Sequence, residues 1–190
     1  MHAAPATQIL FWRRIDLAGM ERLVLEPGAD GISVSGTVIC VEDGGFRIDH
    51  IWRLTPDWHT LSLLVEKSDA DGMTRIALER AGTGWSVDGV HRPDLDGAEE
   101  PDLSVTPFCN TLPIRKLLSG AKNSLTLDVA YIDAATMALR RSRQRYDRLT
   151  PTRVHYTDLG VANGFEADLD LDDQGLVLSY EGLFERVEPI

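Results

Sequence analysis

The most regular pattern in the chain is a strict alternation near its end. In "FEADLDLDDQGLVLSY", Phe165, Ala167, Leu169 and Leu171 fall on one side and Glu166, Asp168, Asp170 and Asp172 on the other. A period of two predicts a strand with one buried and one solvated face. The strand runs into Asp172-Asp173-Gln174-Gly175, a turn composition, and a second apolar run follows. Two further stretches repeat this design. "TVICVEDGGFRIDHIWRL" places Glu42-Asp43-Gly44-Gly45 between β-favouring runs, and "LSLLVEKSDADGMTRIALER" places Asp69-Ala70-Asp71-Gly72 between two more. Glycine admits positive φ and aspartate bonds its own backbone, so each stretch predicts a hairpin and together they predict an antiparallel meander. The D-x-D-x-D run also resembles the start of a calcium loop. However, Asp173 stands where that loop needs glycine, no bidentate acid follows, and the intervening leucines require a core.

Helical signals are few. Residues 16–25 could form a short helical turn with Asp16 as cap, weakened by Gly19. Residues 133–145 contain good helix formers, but a bend at Asp133-Ala134-Ala135 followed by a strand fits better. Residues 88–105 are rich in Asp, Glu, Pro and Gly and predict a long acidic loop leading into a strand at "DLSV". In "TPFCNTLPIRKL" (106–117), Pro107 and Pro113 disfavour helical backbone at Thr106 and Leu112 and remove two donors. Asn110 and Thr111 can bond the turn between them, and Ile114 and Leu117 can anchor its exit. A rigid crossover on the sheet, lining its groove, is expected there. No Gly/Ser linker divides the chain, so residues 1–190 are expected to form one domain.

Composition narrows the function classes. At 43% hydrophobic and 26% charged, the chain has the make-up of a globular domain, and 190 residues suffice for a core. Asp+Glu number 30 against Lys+Arg 19, a net charge of -11, which repels nucleic acid and anionic membrane surfaces. Cys40 and Cys109 are the only cysteines and form no CxxC, so a reducing compartment and a cytoplasmic location are expected. The opening "MHAAPATQILFWRRIDLAG" has no signal-peptide pattern, and no transmembrane segment is expected.

No HExxH, GxSxG, GxGxxG or P-loop is present. His2, His50, His59, His91 and His155 show no metal-ligand spacing, so no metal and no cofactor are expected. Cys109 has two readings: a nucleophile awaiting a distant base, or a small thiol packed beside Phe108. Packing is the preferred one. Sixteen of the nineteen basic residues are arginine, and six of them (Arg140, Arg141, Arg143, Arg145, Arg148 and Arg153) crowd into "LRRSRQRYDRLTPTR". If 139–146 is a strand, Arg141, Arg143 and Arg145 share one face, and Arg140, Ser142, Gln144 and Tyr146 the other. The arginines either pair with acids of neighbouring strands, the preferred reading, or meet an anionic head group. Trp58, in "TPDWHT", either packs in the core, again preferred, or stacks at a loop edge on a sugar or lipid.

The ordered set of motifs resembles a bacterial family described as "putative glycolipid-binding". Trp12 and "GMER" (19–22) come first, then "DGISVSG" (30–36), "VEDGGFRI" (41–48), "TPDWHT" (55–60), "GWSVDG" (84–89) and "PDLDG" (93–97). The signature "TPFCNTLPIRKL" follows, and then "QRY" (144–146), "RVHY" (153–156) and "LDDQGLVLSYEGLF" (171–184). Cys109 departs from the small hydroxyl residue usual at its place, and Lys116 from arginine. The resemblance implies an all-β fold with few short helices: a strongly curved antiparallel sheet, half-barrel-like, as in lipoprotein carriers. It supplies no catalytic residues.

The leading functional reading is a binding protein holding the acyl chain of a glycolipid or other amphiphile in the groove of the curved sheet. Its candidate ligand residues are Arg115, Asn110, Trp58, Arg141, Arg143, Arg145 and Tyr146. Two alternatives stay open: an enzyme of unknown reaction using Cys109, Asn110 and Arg115, and a homodimeric structural or interaction module joined through sheet edges or an exposed apolar face.

Overall fold

The computed structural model describes residues 6–188; His2 lies outside them. Eight strands follow one another as a meander: β1 (Gln8–Arg14), β2 (Gly19–Pro27), β3 (Ile32–Cys40), β4 (Phe46–Leu54), β5 (Thr60–Asp69), β6 (Gly72–Ala81), β7 (Gly84–Val87) and β8 (Val90–Arg92). A 3-10 turn (Pro93–Leu95) leads to β9 (Ala98–Leu103), and then comes α1 (Phe108–Ser119). The rest is β10 (Ser124–Ile132), β11 (Leu139–Thr150), β12 (Arg153–Asp158), β13 (Glu166–Leu171), β14 (Val177–Tyr180) and β15 (Phe184–Val187).

All fifteen strands form one sheet, in the order β8-β7-β6-β5-β4-β3-β2-β1-β15-β14-β13-β12-β11-β10-β9. β15 returns to pair with β1, fusing the two halves. Every ladder is antiparallel except β9 with β10. A parallel neighbour cannot be reached by a hairpin and needs a crossover, which is what α1 provides. The three predicted turns are present, with positive φ at Asp43, Gly44, Gly45, Gly72 and Gly175.

The sheet curls strongly without closing into a barrel. β9, at one edge, packs against β5 and β7 near the other. No ladder joins them. The seam is held by single bonds: Trp85 Nε1 to the Ala98 carbonyl at 3.0 Å, Gly97 N to the Thr83 carbonyl at 3.0 Å, Arg80 to the Glu99 carbonyl at 2.5 Å and Thr60 N to Glu100 Oε2 at 3.1 Å. The inward faces form one core in which Trp12, Trp52, Trp85 and Phe108 are fully buried.

Three expectations need correction. Residues 16–25 hold no helical turn: Gly19–Pro27 is strand β2, paired along its length with β1 and β3, and those ladders outweigh a weak local propensity. Residues 88–105 are not one loop, since β8, the 3-10 turn and β9 lie within them. The acid Glu100 faces inward there because Thr60 N donates to it at 3.1 Å and Arg80 lies 3.6 Å away.

The third correction concerns the stretch 106–117: the expected crossover is there, but from Phe108 onward it is the one α-helix among the described residues, and Leu112 is helical despite Pro113. Pro107 sits at the N-cap, where a missing N–H forfeits no helical bond. Pro113 lies inside and costs the bond to the Cys109 carbonyl. Burial of Phe108, Leu112, Ile114 and Leu117 among the strands offsets that loss.

Candidate functional site

The concave face is not an empty groove. Helix α1 and the core side chains occupy it, and two cavities lie towards opposite ends of α1. The larger, about 900 Å³, borders the C-terminal half of the helix. Leu25, Ile32, Leu112 and Leu118 give it apolar wall, and Arg115 and Trp58 line it side by side.

Trp58 owes its position to the β4–β5 hairpin. Thr55 N donates to the His59 carbonyl at 2.8 Å, Trp58 N to the Thr55 carbonyl at 3.0 Å, and His59 N to Thr55 Oγ1 at 3.0 Å. This turn requires a left-handed residue, and Trp58 fills the place at φ 66°. Glycine usually takes such a position, so a bulky aromatic there is strained. Its indole packs 6.5 Å from the Phe108 ring, and the Arg115 guanidinium carbon lies 4.0 Å from its own centroid.

Arg115 also donates to the Gln174 carbonyl in the β13–β14 turn, where Gly175 leaves room for its stem. No carboxylate forms a salt bridge with it among the described residues. Asp172, its nearest charged influence, is engaged by Arg186 at 2.6 Å. Burial pulls the Arg115 pKa down, with Asp172 opposing. The result is a half-buried cation stacked on an aromatic face and open to a cavity.

The smaller cavity, about 270 Å³, lies at the other end of α1. Tyr156, Tyr180, Phe165 and Phe184 form a connected aromatic wall, with neighbouring centroids 5.9–6.3 Å apart. Facing them is a polar chain. Asp102 accepts from the Cys109 thiol at 2.8 Å and from Gln144 Nε2 at 2.5 Å, Tyr146 donates to Gln144 Oε1 at 3.0 Å, and Asn110 Nδ2 donates to the Tyr146 hydroxyl at 3.0 Å. Burial pushes the Asp102 carboxyl up, opposed by those two bonds. Burial, and then the charge of Asp102, raise the Cys109 thiol well above its usual value. Such a thiol is a poor nucleophile at neutral pH.

Behind this chain lies a second buried cluster. Glu21 Oε1 accepts from His50 Nε2 at 2.9 Å and from Thr106 Oγ1 at 2.8 Å. Trp52 Nε1 donates to His50 Nδ1 at 2.9 Å. Indole nitrogen only donates, so Nδ1 accepts and the proton sits on Nε2. Gly36 lies opposite His50 across the β3–β4 ladder, and a Cβ there would collide with the imidazole. No sequence motif marked this cluster; the one signal was inward parity of Glu21 and His50 in otherwise apolar strands.

The sequence-predicted residues therefore separate into three places. Arg115 and Trp58 meet at the larger cavity. Asn110 lines the smaller one, with Tyr146 buried behind it. Arg141, Arg143 and Arg145 project from the exposed face of β11, while Ser142, Gln144 and Tyr146 turn inward as the alternation predicts. Asp128 lies 3.6 and 3.9 Å from Arg141 and Arg143, and Asp147 lies 2.7 Å from Arg145. Cys109 and Asn110 border a different cavity from Arg115, so that trio does not converge. Among the described residues no cluster of His, Cys, Asp and Glu suits a metal ion, and no helix is long and apolar enough to cross a membrane.

A strongly curved, open, mostly antiparallel sheet filled by one crossover helix, with cavities towards both ends of that helix, defines a mostly β protein. The model of the family described as "Putative glycolipid-binding" matches residues 9–186, and the chain belongs to that family. It is also similar to a crystal structure of a DUF1089 family protein from Pseudomonas aeruginosa. That likeness has a TM-score of 0.78 at 29% identity and covers 88% of this chain and 92% of that one. None of the curated proteins matches the chain.

Proposed function

We propose that the protein binds an amphiphile of the glycolipid class in the larger cavity. The observation that carries this reading is the half-buried Arg115 guanidinium, without a carboxylate partner among the described residues, lying 4.0 Å over Trp58 beside a space of about 900 Å³. A cation held without a carboxylate partner suits a phosphate, sulfate or carboxylate on a head group, and Trp58 suits the apolar face of a sugar. The acyl portion runs along Leu25, Ile32, Leu112 and Leu118. Each buried methylene contributes about 0.8 kcal/mol, so a short length of chain supplies useful affinity. The curled sheet then works as a half-barrel carrier.

The test is a thermal-shift and calorimetric titration of delipidated protein with an anionic glycolipid, a neutral glycolipid and a fatty acid. Saturable binding with a raised Tm is expected, strongest for the anionic glycolipid. A Tm unmoved by all three overturns the proposal.

A further inference from the structure

The smaller cavity contains polar atoms that the protein leaves without adequate partners. Tyr180, only 6% exposed, lines this cavity. Among the described residues its hydroxyl makes no hydrogen bond, although Asp102, Cys109 and Asp158 lie close enough to act on it. Asn110, 5% exposed, spends its amide N–H on Tyr146, and its carbonyl oxygen meets only the Cys109 thiol at 3.9 Å. A hydroxyl with no protein partner and a carbonyl oxygen with one weak thiol contact thus line the same cavity, where a ligand could pair both.

The lining determines the chemistry of that ligand. It includes no Lys, Arg or His, which disfavours an anion. The two acids offer little to a cation. Asp158 is saturated: Oδ1 accepts from Gly160 N at 2.7 Å and Ala162 N at 3.1 Å, and Oδ2 from the Tyr156 hydroxyl at 3.2 Å. Asp102 is likewise engaged at both oxygens, Oδ1 accepting from the Cys109 thiol at 2.8 Å and Oδ2 from Gln144 Nε2 at 2.5 Å. What remains is a set of neutral donors and acceptors opposite aromatic rings, with Phe165, 36% exposed, at the mouth. Hydroxyls on a ring with apolar C–H faces meet both demands, and about 270 Å³ is room for one such ring.

We propose that this cavity is a second ligand site, which takes one uncharged pyranose ring: stacked on the Tyr156–Tyr180–Phe165 wall and hydrogen-bonded by the Tyr180 hydroxyl and the Asn110 carbonyl. It stands independently of the amphiphile reading, because the two cavities lie at opposite ends of α1 and share no lining residue.

The test is ligand-observed NMR titration of the full chain with neutral methyl pyranosides of several stereochemistries, with choline and glucose 6-phosphate as charged controls. At least one methyl pyranoside is expected to bind saturably, more tightly than either control. Tyr180→Phe deletes only the unpaired hydroxyl and is expected to weaken that sugar about fivefold with the fold intact. Arg115→Ala is expected to leave it unchanged, which separates the result from any failure at the larger cavity. An octyl glycoside of the same sugar binding more tightly than the methyl glycoside identifies a lipid-borne head group, and equal binding a free saccharide. Absence of binding by every methyl pyranoside up to about 50 mM overturns the proposal. So does tighter binding of choline, or equal affinity in the Tyr180→Phe protein.

Discussion

The guanidinium of Arg115 and the indole of Trp58 stack at 4.0 Å, joining the buried helix to the β4–β5 turn. Neither residue has a closer charged partner among the described residues, so the contact is a cation–π pair with one side open to a cavity. Arg115→Ala is expected to weaken an anionic amphiphile about tenfold in calorimetric titration while changing stability by less than about 1 kcal/mol. Arg115→Lys should restore only part of the affinity, because a point charge on a flexible stem loses the planar stack.

Trp58 occupies a left-handed position at φ 66°. Trp58→Gly removes backbone strain of about 1–3 kcal/mol and loses packing on Phe108 of comparable size. The expected outcome is a Tm near that of the parent protein together with lost amphiphile binding. A large fall in Tm would show that Trp58 serves the core instead.

Gly36 gives the imidazole of His50 its space. Gly36→Ala forces that ring and its Glu21 and Trp52 partners apart, and urea unfolding is expected to show a loss of about 1–3 kcal/mol. The matched change Gly89→Ala tests something different: its Cβ meets nothing, and its cost comes from φ 81° alone.

Asp102 titrates higher in the folded protein than in the unfolded chain, chiefly because of burial. A carboxyl with a raised folded pKa favours the folded state while it holds its proton. That contribution is complete below the unfolded value of about 3.9 and is lost as pH rises through the folded value. Stability measured by urea unfolding should therefore carry a downward slope above about pH 4 that Asp102→Asn removes. Parallel pH profiles for the two proteins would refute this.

Both thiols are expected to be inert in the folded protein. Burial pushes Cys40 up to about 11 and Cys109 well above its usual value. Labelling with a thiol reagent at pH 7.5 should be slow for both and become rapid only in denaturant. Fast labelling of Cys109 alone would revive a nucleophilic role.

Much of the fold was legible in the chain. The turns at 42–45, 69–72 and 172–175, the alternation of β13 and the inward parity of Ser142, Gln144 and Tyr146 are local properties of sequence, and each appears as expected. The misread segments are those where non-local partners outweigh local preference. Gly19–Pro27 is a strand because β1 and β3 flank it. Residues 108–119 are a helix despite Pro113, because a parallel β9–β10 pair must be bridged across a core that rewards burial of Phe108, Ile114 and Leu117. The candidate residues followed the same division. Trp58 and Arg115 were visible singly, but nothing in the spacing revealed that they meet, and Tyr180 carried no signal beyond its place in a strand.

The sequence by itself determined the hairpins and the alternating strands beside them: period-two patterning and turn residues act within a few positions, where backbone geometry leaves little choice. Tertiary structure alone decided the cavities. Which side chains lie unpaired beside empty space depends on how far a fifteen-strand sheet curls around one helix, and that curl is set by packing between residues far apart in the chain.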